Sequence, residues 1–237
     1  MKVQNSVVFI TGANRGFGLS LAREALALGA SRVYAGMRNT EGFNVPGLVP
    51  VKVDVTDAAS IAAAAAQCGD VTLLVNNAGI GRVLEGPLDG RMEAQSREIF
   101  ETNYYGMIGV TRAFAPILGR NGGGAIVNVL SVASWIPTQL LAAYAASKAA
   151  AWSFTNTLRV DLQKQGTQVL AVHVGFMDTD LAKGVDRPKA NPADVARQTF
   201  DDLAAGRNET LGDEITRAVK AGLCADKASY YDPSSLL

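Results

Sequence analysis

Short apolar runs alternate along this chain with longer alanine-rich segments, and this alternation constrains the fold more than any other feature. Six runs are rich in valine and other strand-forming residues, at 7–10, 32–36, 49–53, 71–75, 125–129 and 168–174. Continuous apolar runs of this length are typical of strands buried on both faces, and parallel strands need helical crossovers between them. The pattern therefore predicts an α/β fold with a three-layer, doubly wound parallel sheet of about seven strands and helices on both faces.

The alanine-rich segments between these runs predict the helices, at about 15–29, 57–67, 91–118 and 141–165. Beyond residue 191 we expect a helix with proline near its first turn, a short strand at ETLG and a last helix ending by Leu223. The chain has no evident linker or internal repeat, so residues 1–237 are predicted to form a single domain. The segment 225–237 has little periodicity and is expected to be an arm or a loose C-terminal tail.

Charge and cysteine content argue against several classes of protein. The 22 basic and 22 acidic residues cancel and form no long run of one sign, so we expect no nucleic-acid partner. Cys68 and Cys224 are too few for a disulfide framework, and one histidine, His173, argues against a metal site. No apolar stretch reaches 18 residues, and the first residues form a strand, so we expect a cytoplasmic protein with no membrane partner and no signal peptide.

The first predicted strand ends in TGANRGFG, which places Gly12, Gly16 and Gly18 at the turn into the first predicted helix. Glycines let the backbone approach a pyrophosphate closely, and the helix N-terminus offers unpaired N–H groups to an anion. Turns also need glycine for geometric reasons, so the glycines alone do not define a site. Their position between a strand and a helix favours a dinucleotide-binding site.

A second feature is the pair Tyr144 and Lys148 in LAAYAASKAAAWSF, a segment with strong helix propensity. Residues four apart are neighbours on one helix face. One interpretation is a half-buried tyrosine beside a lysine whose ammonium extends to solvent. The other is a catalytic pair, and the rest of the chain has to decide between them.

Taken together, the motifs resemble those of the short-chain dehydrogenase/reductase family. The turn has the spacing TGxxxGxG, NNAG comes after the fourth predicted strand at 76–79, and YxxxK occupies 144–148. Asn103 in TNYYG, Ser131 in NVLSVAS and the late stretch VGFMDT fall in the order of that family. The resemblance covers nearly the whole chain and implies a Rossmann-like fold, a nicotinamide cofactor and a homodimer or homotetramer.

The resemblance also implies catalytic roles for Asn103, Ser131, Tyr144 and Lys148. Tyr144 would exchange a proton with a carbonyl or alcohol oxygen, and Lys148 would lower the pKa of Tyr144 and bond to the nicotinamide ribose. Ser131 would stabilise the carbonyl oxygen, with Ser134 as its competitor. Asn103 would support a water relay, although an asparagine within a helix can instead bond to its own backbone. We expect His173 to be packed in its strand rather than to act as a base.

The same resemblance implies the residues that contact the cofactor. They are Gly12, Asn14, Arg15, Gly16, Phe17, Gly18, Arg38, Asp54, Val55, Asn77, Ala78, Gly79, Tyr144, Lys148, Gly175 and Thr179. One position departs from the family pattern, because Val174 stands where the family usually has proline. The loop that would contact the nicotinamide is therefore expected to be less rigid.

The choice of cofactor depends on the residues directly after the second predicted strand. Sites for NAD(H) normally place an acidic residue there, which accepts a hydrogen bond from the ribose 2′-OH and repels a 2′-phosphate. This chain has Gly36, Met37 and Arg38 at that point, with no acid before Glu41, and Arg15 lies within the glycine turn. Guanidinium groups suit phosphate, so we predict NADP(H) over NAD(H). The alternative is that both arginines are solvated surface charges.

The sequence thus predicts an NADP(H)-dependent reductase of ketones or aldehydes, acting on a small-molecule carbonyl or alcohol substrate. Only TDLAKGVDRPKA separates the late motif from the next predicted helix, which predicts an open pocket for small or aromatic substrates. Two alternatives remain: a non-catalytic dinucleotide-binding sensor or scaffold on the same fold, or a family member with another reaction such as enoyl reduction.

Overall fold

The structure of the chain, a computed structural model, describes residues 1–231 and contains a seven-stranded sheet. Its strands are β1 (Val7–Thr11), β2 (Arg32–Met37), β3 (Leu48–Lys52), β4 (Leu73–Asn76), β5 (Gly124–Val129), β6 (Thr167–His173) and β7 (Glu209–Leu211). The strands pair in parallel in the order β3-β2-β1-β4-β5-β6-β7. The predicted α/β, doubly wound parallel sheet is confirmed.

Helices cover both faces of this sheet. They are α1 (Gly16–Ala27), α2 (Ala58–Gln67), α3 (Met92–Phe100), α4 (Gly106–Arg120), α5 (Ala142–Leu162), α6 (Pro192–Ala204) and α7 (Glu214–Gly222). Val8 and Ile10 of β1 pack with α1 and α6, whereas Phe9 packs with α2, α4 and α5, because successive side chains of a strand alternate between faces. Burial on both faces explains the continuous apolar runs of the sequence.

The predicted helix at 91–118 is interrupted where α3 meets α4. Residues Glu101–Tyr105 form a π-helical turn between the two helices. Within it, Asn103 Nδ2 donates to Ile80 O at 2.9 Å, and Ile80 N donates to Asn103 Oδ1 at 2.8 Å. Such widened turns are common at functional sites. The apolar periodicity of the sequence could not predict this π-helical turn, because the turn coincides with a tertiary contact to the backbone of Ile80.

The end of the chain is described only in part. Residues 225–231 contain turns, and Ala228 is the one buried residue among them, at 2% exposed. Residues 232–237 lie outside the described residues. Among residues 1–231, no helix has the length and apolar character that crossing a bilayer requires.

Candidate active site

The predicted site residues gather at the carboxyl ends of the parallel strands. β1 lies between β2 and β4, so the strand order reverses at β1. In open α/β sheets such a reversal opens a crevice where ligands bind. Gly12 follows β1, Asn77 follows β4, and Ser131 and Gly175 come two residues after β5 and β6. The sheet thus brings together residues that are far apart in the chain.

The turn after β1 disfavours side chains at its glycine positions. Gly12 has φ +68° and Gly16 has φ +54°, left-handed conformations that favour glycine. A Cβ at Gly18 would collide with Gly12 O and with the side chain of Asn77. α1 has no side-chain cap, whereas α2, α6 and α7 each have one, so the first N–H groups of α1 stay available to an anion. This turn therefore fits the pyrophosphate of a dinucleotide.

Thr11 ties the NNAG segment to this turn. Asn77 N and Ala78 N both donate to Thr11 Oγ1 at 3.0 Å, and Asn77 Nδ2 donates to Thr11 O at 2.9 Å. The side-chain nitrogen of Asn77 thus stabilises the glycine turn through a hydrogen bond within the protein. Thr11 was not among the predicted site residues. A hydroxyl directly before Gly12 was the only signal in the sequence that could have found it.

The other side chains of the turn differ in their surroundings. Phe17 is 5% exposed and packs in the core, so only its backbone is available to a cofactor. Asn14 and Arg15 are exposed. Arg15 Nη1 lies 3.0 Å from Asp180 Oδ2, and both side chains are largely exposed. The arginine predicted to meet phosphate is therefore paired with a carboxylate, although exposed pairs of this kind are weak.

Arg38, Asp54 and Val55 come after β2 and β3. Arg38 is exposed, directly beyond the last residue of β2. Asp54 Oδ1 accepts from Thr56 N at 2.9 Å and from Thr56 Oγ1 at 2.7 Å, and these bonds, with a smaller effect of the Arg38 charge, lower the pKa of Asp54. Val55 packs closely against the backbone of Gly106 at the start of α4. No carboxylate stands among the residues that end β2.

Lys148 is buried beside Tyr144 in the early turns of α5. The residue is 5% exposed, and its Nζ donates to Val129 O at the end of β5 at 2.8 Å. The same nitrogen lies 5.6 Å from the centroid of the Tyr144 ring. Burial lowers the pKa of Lys148 to about 8. The interpretation of Lys148 as a lysine extended to solvent is therefore wrong.

Tyr144 is half-buried, and its acidity differs from our expectation. Burial raises the pKa of Tyr144, and hydrogen bonding with the side chain of Ser131 opposes this shift. We predicted that the charge of Lys148 would lower this pKa. Burial dominates instead, because a phenolate loses more hydration than a neutral phenol when it is removed from water. The phenol is thus protonated at neutral pH, which is the form that donates a proton.

Of the two candidate serines, Ser131 is the one whose side chain reaches Tyr144. Ser131 Oγ accepts from Ala133 N at 3.2 Å and donates to Val174 O at 3.4 Å. Ser134 Oγ is buried and has no hydrogen-bond partner among the described residues. These contacts hold the Ser131 side chain in place near the phenol, and its hydroxyl hydrogen can turn from Val174 O to a substrate oxygen.

Asn103 lies behind Lys148 and lines a small cavity with it. Both N–H groups of its amide are used, because Nδ2 donates to Ser147 Oγ at 3.1 Å and to Ile80 O, while Oδ1 accepts from Ile80 N. The cavity has a volume of about 10 Å³, comparable to the space that one water molecule needs. Asn76 also lines it, and Asn76 Oδ1 is buried without a hydrogen-bond partner among residues 1–231. A Cβ at Gly79 would lie 3.3 Å from Asn103 Oδ1 and 3.7 Å from Lys148 Nζ.

The loop after β6 contacts both the start of α7 and the glycine turn. Gly175 N donates to Asp213 Oδ2 at 2.6 Å. The side chain of Thr179 lies 3.6 Å from the position that a Cβ on Gly16 would take. The loop therefore extends from the start of α7 to the glycine turn. Both of its predicted cofactor residues, Gly175 and Thr179, lie along this path.

His173 is packed in its strand, as expected from the apolar surroundings in the sequence. It is fully buried, stacks on Trp135 at 3.9 Å between ring centroids, and places Nδ1 3.0 Å from Ser131 O. A carbonyl oxygen accepts only, so the imidazole carries its hydrogen on Nδ1. Burial lowers the pKa of His173 to about 4, with Glu209, Lys220 and Lys148 as the charged groups that also affect it.

This depressed pKa predicts a loss of stability on mild acidification. An unfolded chain protonates His173 near pH 6.5, whereas the folded protein does so near 4. The unfolded state thus binds more protons between these values, so the free energy of unfolding falls by up to about 1.4 kcal/mol per pH unit as pH drops. In urea unfolding between pH 7 and 5, His173→Asn is expected to flatten this slope. Equal slopes for both proteins would contradict the assignment.

Comparisons with known proteins agree with this geometry. A family model described as short chain dehydrogenase matches residues 6–190. A crystal structure of a short chain dehydrogenase from Burkholderia cenocepacia J2315 in complex with NADP is 36% identical, has a TM-score of 0.90 and covers 95% of each chain. A short chain dehydrogenase/reductase from Burkholderia phymatum in complex with NAD is 27% identical, with a TM-score of 0.78, covering 94% of this chain and 93% of that one.

Among curated relatives, estradiol 17-beta-dehydrogenase 2 of Rattus norvegicus is 32% identical over 94% of this chain. The chain spans 60% of the length of that relative. The parallel sheet and the crevice at its strand ends are those of a dinucleotide-binding α/β fold. The chain belongs to the short chain dehydrogenase family.

Proposed function

We propose that this chain is an NADP(H)-dependent oxidoreductase that reversibly reduces ketones or aldehydes to alcohols. One observation carries the proposal: Ser131 and Lys148 converge on the phenol of Tyr144, one by hydrogen bonding and the other as a buried ammonium 5.6 Å from the ring. Burying an ammonium beside a phenol costs free energy. Proteins accept this cost most often at functional sites. A protein that only binds a dinucleotide could use Lys148 to hold the ribose, but it has no use for the phenol of Tyr144 and the hydroxyl of Ser131 beside it.

In this mechanism each side chain has one role. A bound nicotinamide cofactor supplies the hydride in reduction and accepts it in oxidation. Tyr144 donates its phenolic proton to the carbonyl oxygen and takes a proton from the alcohol in the reverse direction. Ser131 donates a hydrogen bond to the same oxygen and stabilises the charge that develops there. Lys148 stabilises the tyrosinate that forms, while Val129 O holds its ammonium in place.

We assign the supply of protons to a water relay behind Lys148. The cavity shared by Lys148, Asn103 and Asn76 supports this assignment, because Asn76 Oδ1 has no donor within the described part of the chain and can accept from a water there. The amide of Asn103 is committed to Ile80 and Ser147. Asn103 therefore supports the relay by shaping the cavity and the π-helical turn, and its NH₂ group does not donate to the water.

The preference for NADP(H) rests on the end of β2. No carboxylate stands there to repel a 2′-phosphate, and Arg38 is exposed next to it. The relative from Burkholderia cenocepacia binds NADP, whereas the one from Burkholderia phymatum binds NAD. Arg15 Nη1 is paired with Asp180, and this carboxylate offsets part of the positive charge that Arg15 would present to a phosphate. Arg38 is thus the arginine on which the preference chiefly depends.

The substrate pocket is proposed to be open and apolar. Three apolar side chains in the segments next to Gly81, the start of α5 and Thr179 are largely exposed: Val83 at 69%, Leu140 at 52% and Leu181 at 62%. Gly81 lies next to the phenol and to Leu181, since a Cβ there would lie 3.6 Å from Tyr144 Cδ2 and 3.7 Å from Leu181 Cδ1. Exposed apolar groups of this kind favour uncharged, small or aromatic carbonyl compounds over charged ones.

The test of the proposed function is the loss of reduced-nicotinamide absorbance with NADPH and a panel of ketones and aldehydes graded by size. Turnover of several small or aromatic members is the expected result. Binding of NADPH with no turnover of any member would identify a dinucleotide-binding scaffold instead. Strict selection of one bulky compound would refute the open pocket.

We further propose that the chain is a single cytoplasmic domain that assembles as a dimer or tetramer. Tyr105, at the junction of α3 and α4, is 54% exposed and Val160 of α5 is 71% exposed. Apolar side chains on these two helices suit a self-complementary contact between two copies. Light scattering at micromolar concentration is expected to give the mass of a dimer or tetramer, and the mass of a monomer would contradict this.

A further inference from the structure

Asp213 lies beyond the part of the chain that matches the family model, yet it contacts the site. It stands between β7 and α7 and uses both carboxylate oxygens. Oδ1 accepts from Thr216 N at 2.7 Å and caps α7. Oδ2 accepts from Gly175 N at 2.6 Å. One carboxylate therefore joins the start of α7 to the loop after β6.

We propose that Asp213 is a positioning residue that holds the nicotinamide side of the cofactor site through the N–H of Gly175. This inference rests on the proposed function, because the contact of Gly175 and Thr179 with a nicotinamide is itself part of that proposal. Asp213 touches neither substrate nor cofactor in this scheme. It acts through the backbone of the loop.

Asp213 and Gly175 are in such close contact that position 175 has no space for a side chain. A Cβ at position 175 would lie 2.9 Å from Asp213 Oδ2, so a side chain there would displace the carboxylate. Hydrogen bonds from an N–H to an ionised carboxylate are shorter and stronger than neutral ones. The residue before Gly175 is Val174, which lacks the fixed φ that a proline ring would impose. Asp213 thus restrains the loop at Gly175 from outside.

The loop can transmit this restraint because its other backbone groups are also bonded. Ala190 N donates to Phe176 O at 2.8 Å, Asp178 N to Ala190 O at 3.1 Å and Thr179 N to Met177 O at 2.8 Å. Thr179 then packs against Gly16 of the glycine turn. A shift at Gly175 is therefore expected to move the loop over the crevice, whereas the glycine turn has its own restraint, because Asn77 Nδ2 donates to Thr11 O and to Gly12 O.

The experiment replaces Asp213 by serine and measures two ligands by calorimetry. A serine hydroxyl caps a helix nearly as well as aspartate, but its one oxygen cannot serve both Thr216 N and Gly175 N. NADPH probes the whole site, and 2′,5′-ADP probes the adenosine side alone. We expect Asp213→Ser to weaken NADPH binding by about tenfold, the loss of one charge-assisted hydrogen bond, and to leave 2′,5′-ADP binding unchanged.

Asp57 provides the matched control, because it caps α2 through Ala59 N at 3.0 Å and lies outside the proposed site. Asp57→Ser is expected to lower the melting temperature similarly and to leave the binding of both ligands unchanged. Asp213→Asn has one acceptor oxygen as well and is expected to repeat the split if the serine variant does not fold.

The outcomes separate the inference from the proposed function. If the wild type binds both ligands and Asp213→Ser binds NADPH with unchanged affinity, Asp213 does not position the loop. If both ligands weaken equally, its role is structural and the inference is overturned. If the wild type binds neither ligand, the proposed function fails and the inference fails with it.

Discussion

Replacing Tyr144 with phenylalanine is expected to slow carbonyl reduction by about 10²- to 10⁴-fold, the usual effect of removing a general acid. The change deletes only the hydroxyl and leaves the ring beside Lys148 and Gly81 in place. NADPH binding is therefore expected to persist. Steady-state rates with NADPH and a ketone, together with cofactor binding by fluorescence, separate the two effects.

Tyr231→Phe is the matched control for this variant, since its ring is 74% exposed and far along the chain from the site. It is expected to retain the wild-type rate. The pH profile adds a second readout: because burial raises the pKa of Tyr144, reduction is expected to proceed near pH 7 and oxidation to require alkaline pH. An unchanged rate for Tyr144→Phe, or an oxidation optimum below neutrality, would exclude Tyr144 as the proton donor.

Arg38→Leu is expected to lower kcat/KM for NADPH by at least about tenfold and to affect NADH little. The guanidinium is exposed beyond β2, where a 2′-phosphate would lie in the proposed complex. Charge-assisted hydrogen bonds are each worth about 1.5 to 3 kcal/mol, which corresponds to about 10- to 150-fold in affinity. The ratio of kcat/KM for the two cofactors measures this effect directly.

Arg23→Leu is the control, because Arg23 is exposed on α1 and lies outside the proposed phosphate site. A substitution of Gly36 by an acidic residue, intended to repel the 2′-phosphate, would not be a useful second variant. A Cβ at Gly36 would lie 2.9 Å from Val53 Cγ1 and 3.0 Å from Ile10 O, so the strand has no space for it. A wild-type ratio below one, or a ratio unchanged in Arg38→Leu, would refute the assigned cofactor preference.

Much of the site was predictable because it depends on short motifs next to strand ends. Gly12, Gly16 and Gly18 are needed for a turn whose geometry is local, and the spacing of Tyr144 and Lys148 is that of neighbours on one helix. The partners of these residues were not predictable. Lys148 is held by Val129 O and Arg15 is paired with Asp180, contacts made across 19 and 165 positions of the chain.

Two findings depended on tertiary structure for the same reason. The π-helical turn at Asn103 coincides with bonds to the backbone of Ile80, and backbone groups leave no trace in a residue pattern. In the sequence, Asp213 has only the pattern of an ordinary helix cap. The bond of its second oxygen cannot be seen there, because the partner N–H group lies 38 residues earlier in the chain. Neither feature has a residue periodicity or spacing from which it could have been predicted.

The sequence by itself determined the architecture and the place of the site, because the period of apolar residues dictates strands and helices, and parallel strands bring their carboxyl ends to one edge. Only the tertiary structure decided the electrostatics of that site. The pKa of Tyr144 is raised and that of Lys148 is lowered because both groups are buried, and burial is a property of the packed molecule. The residue types name the groups that can react, and their surroundings determine the protonation states in which they do so.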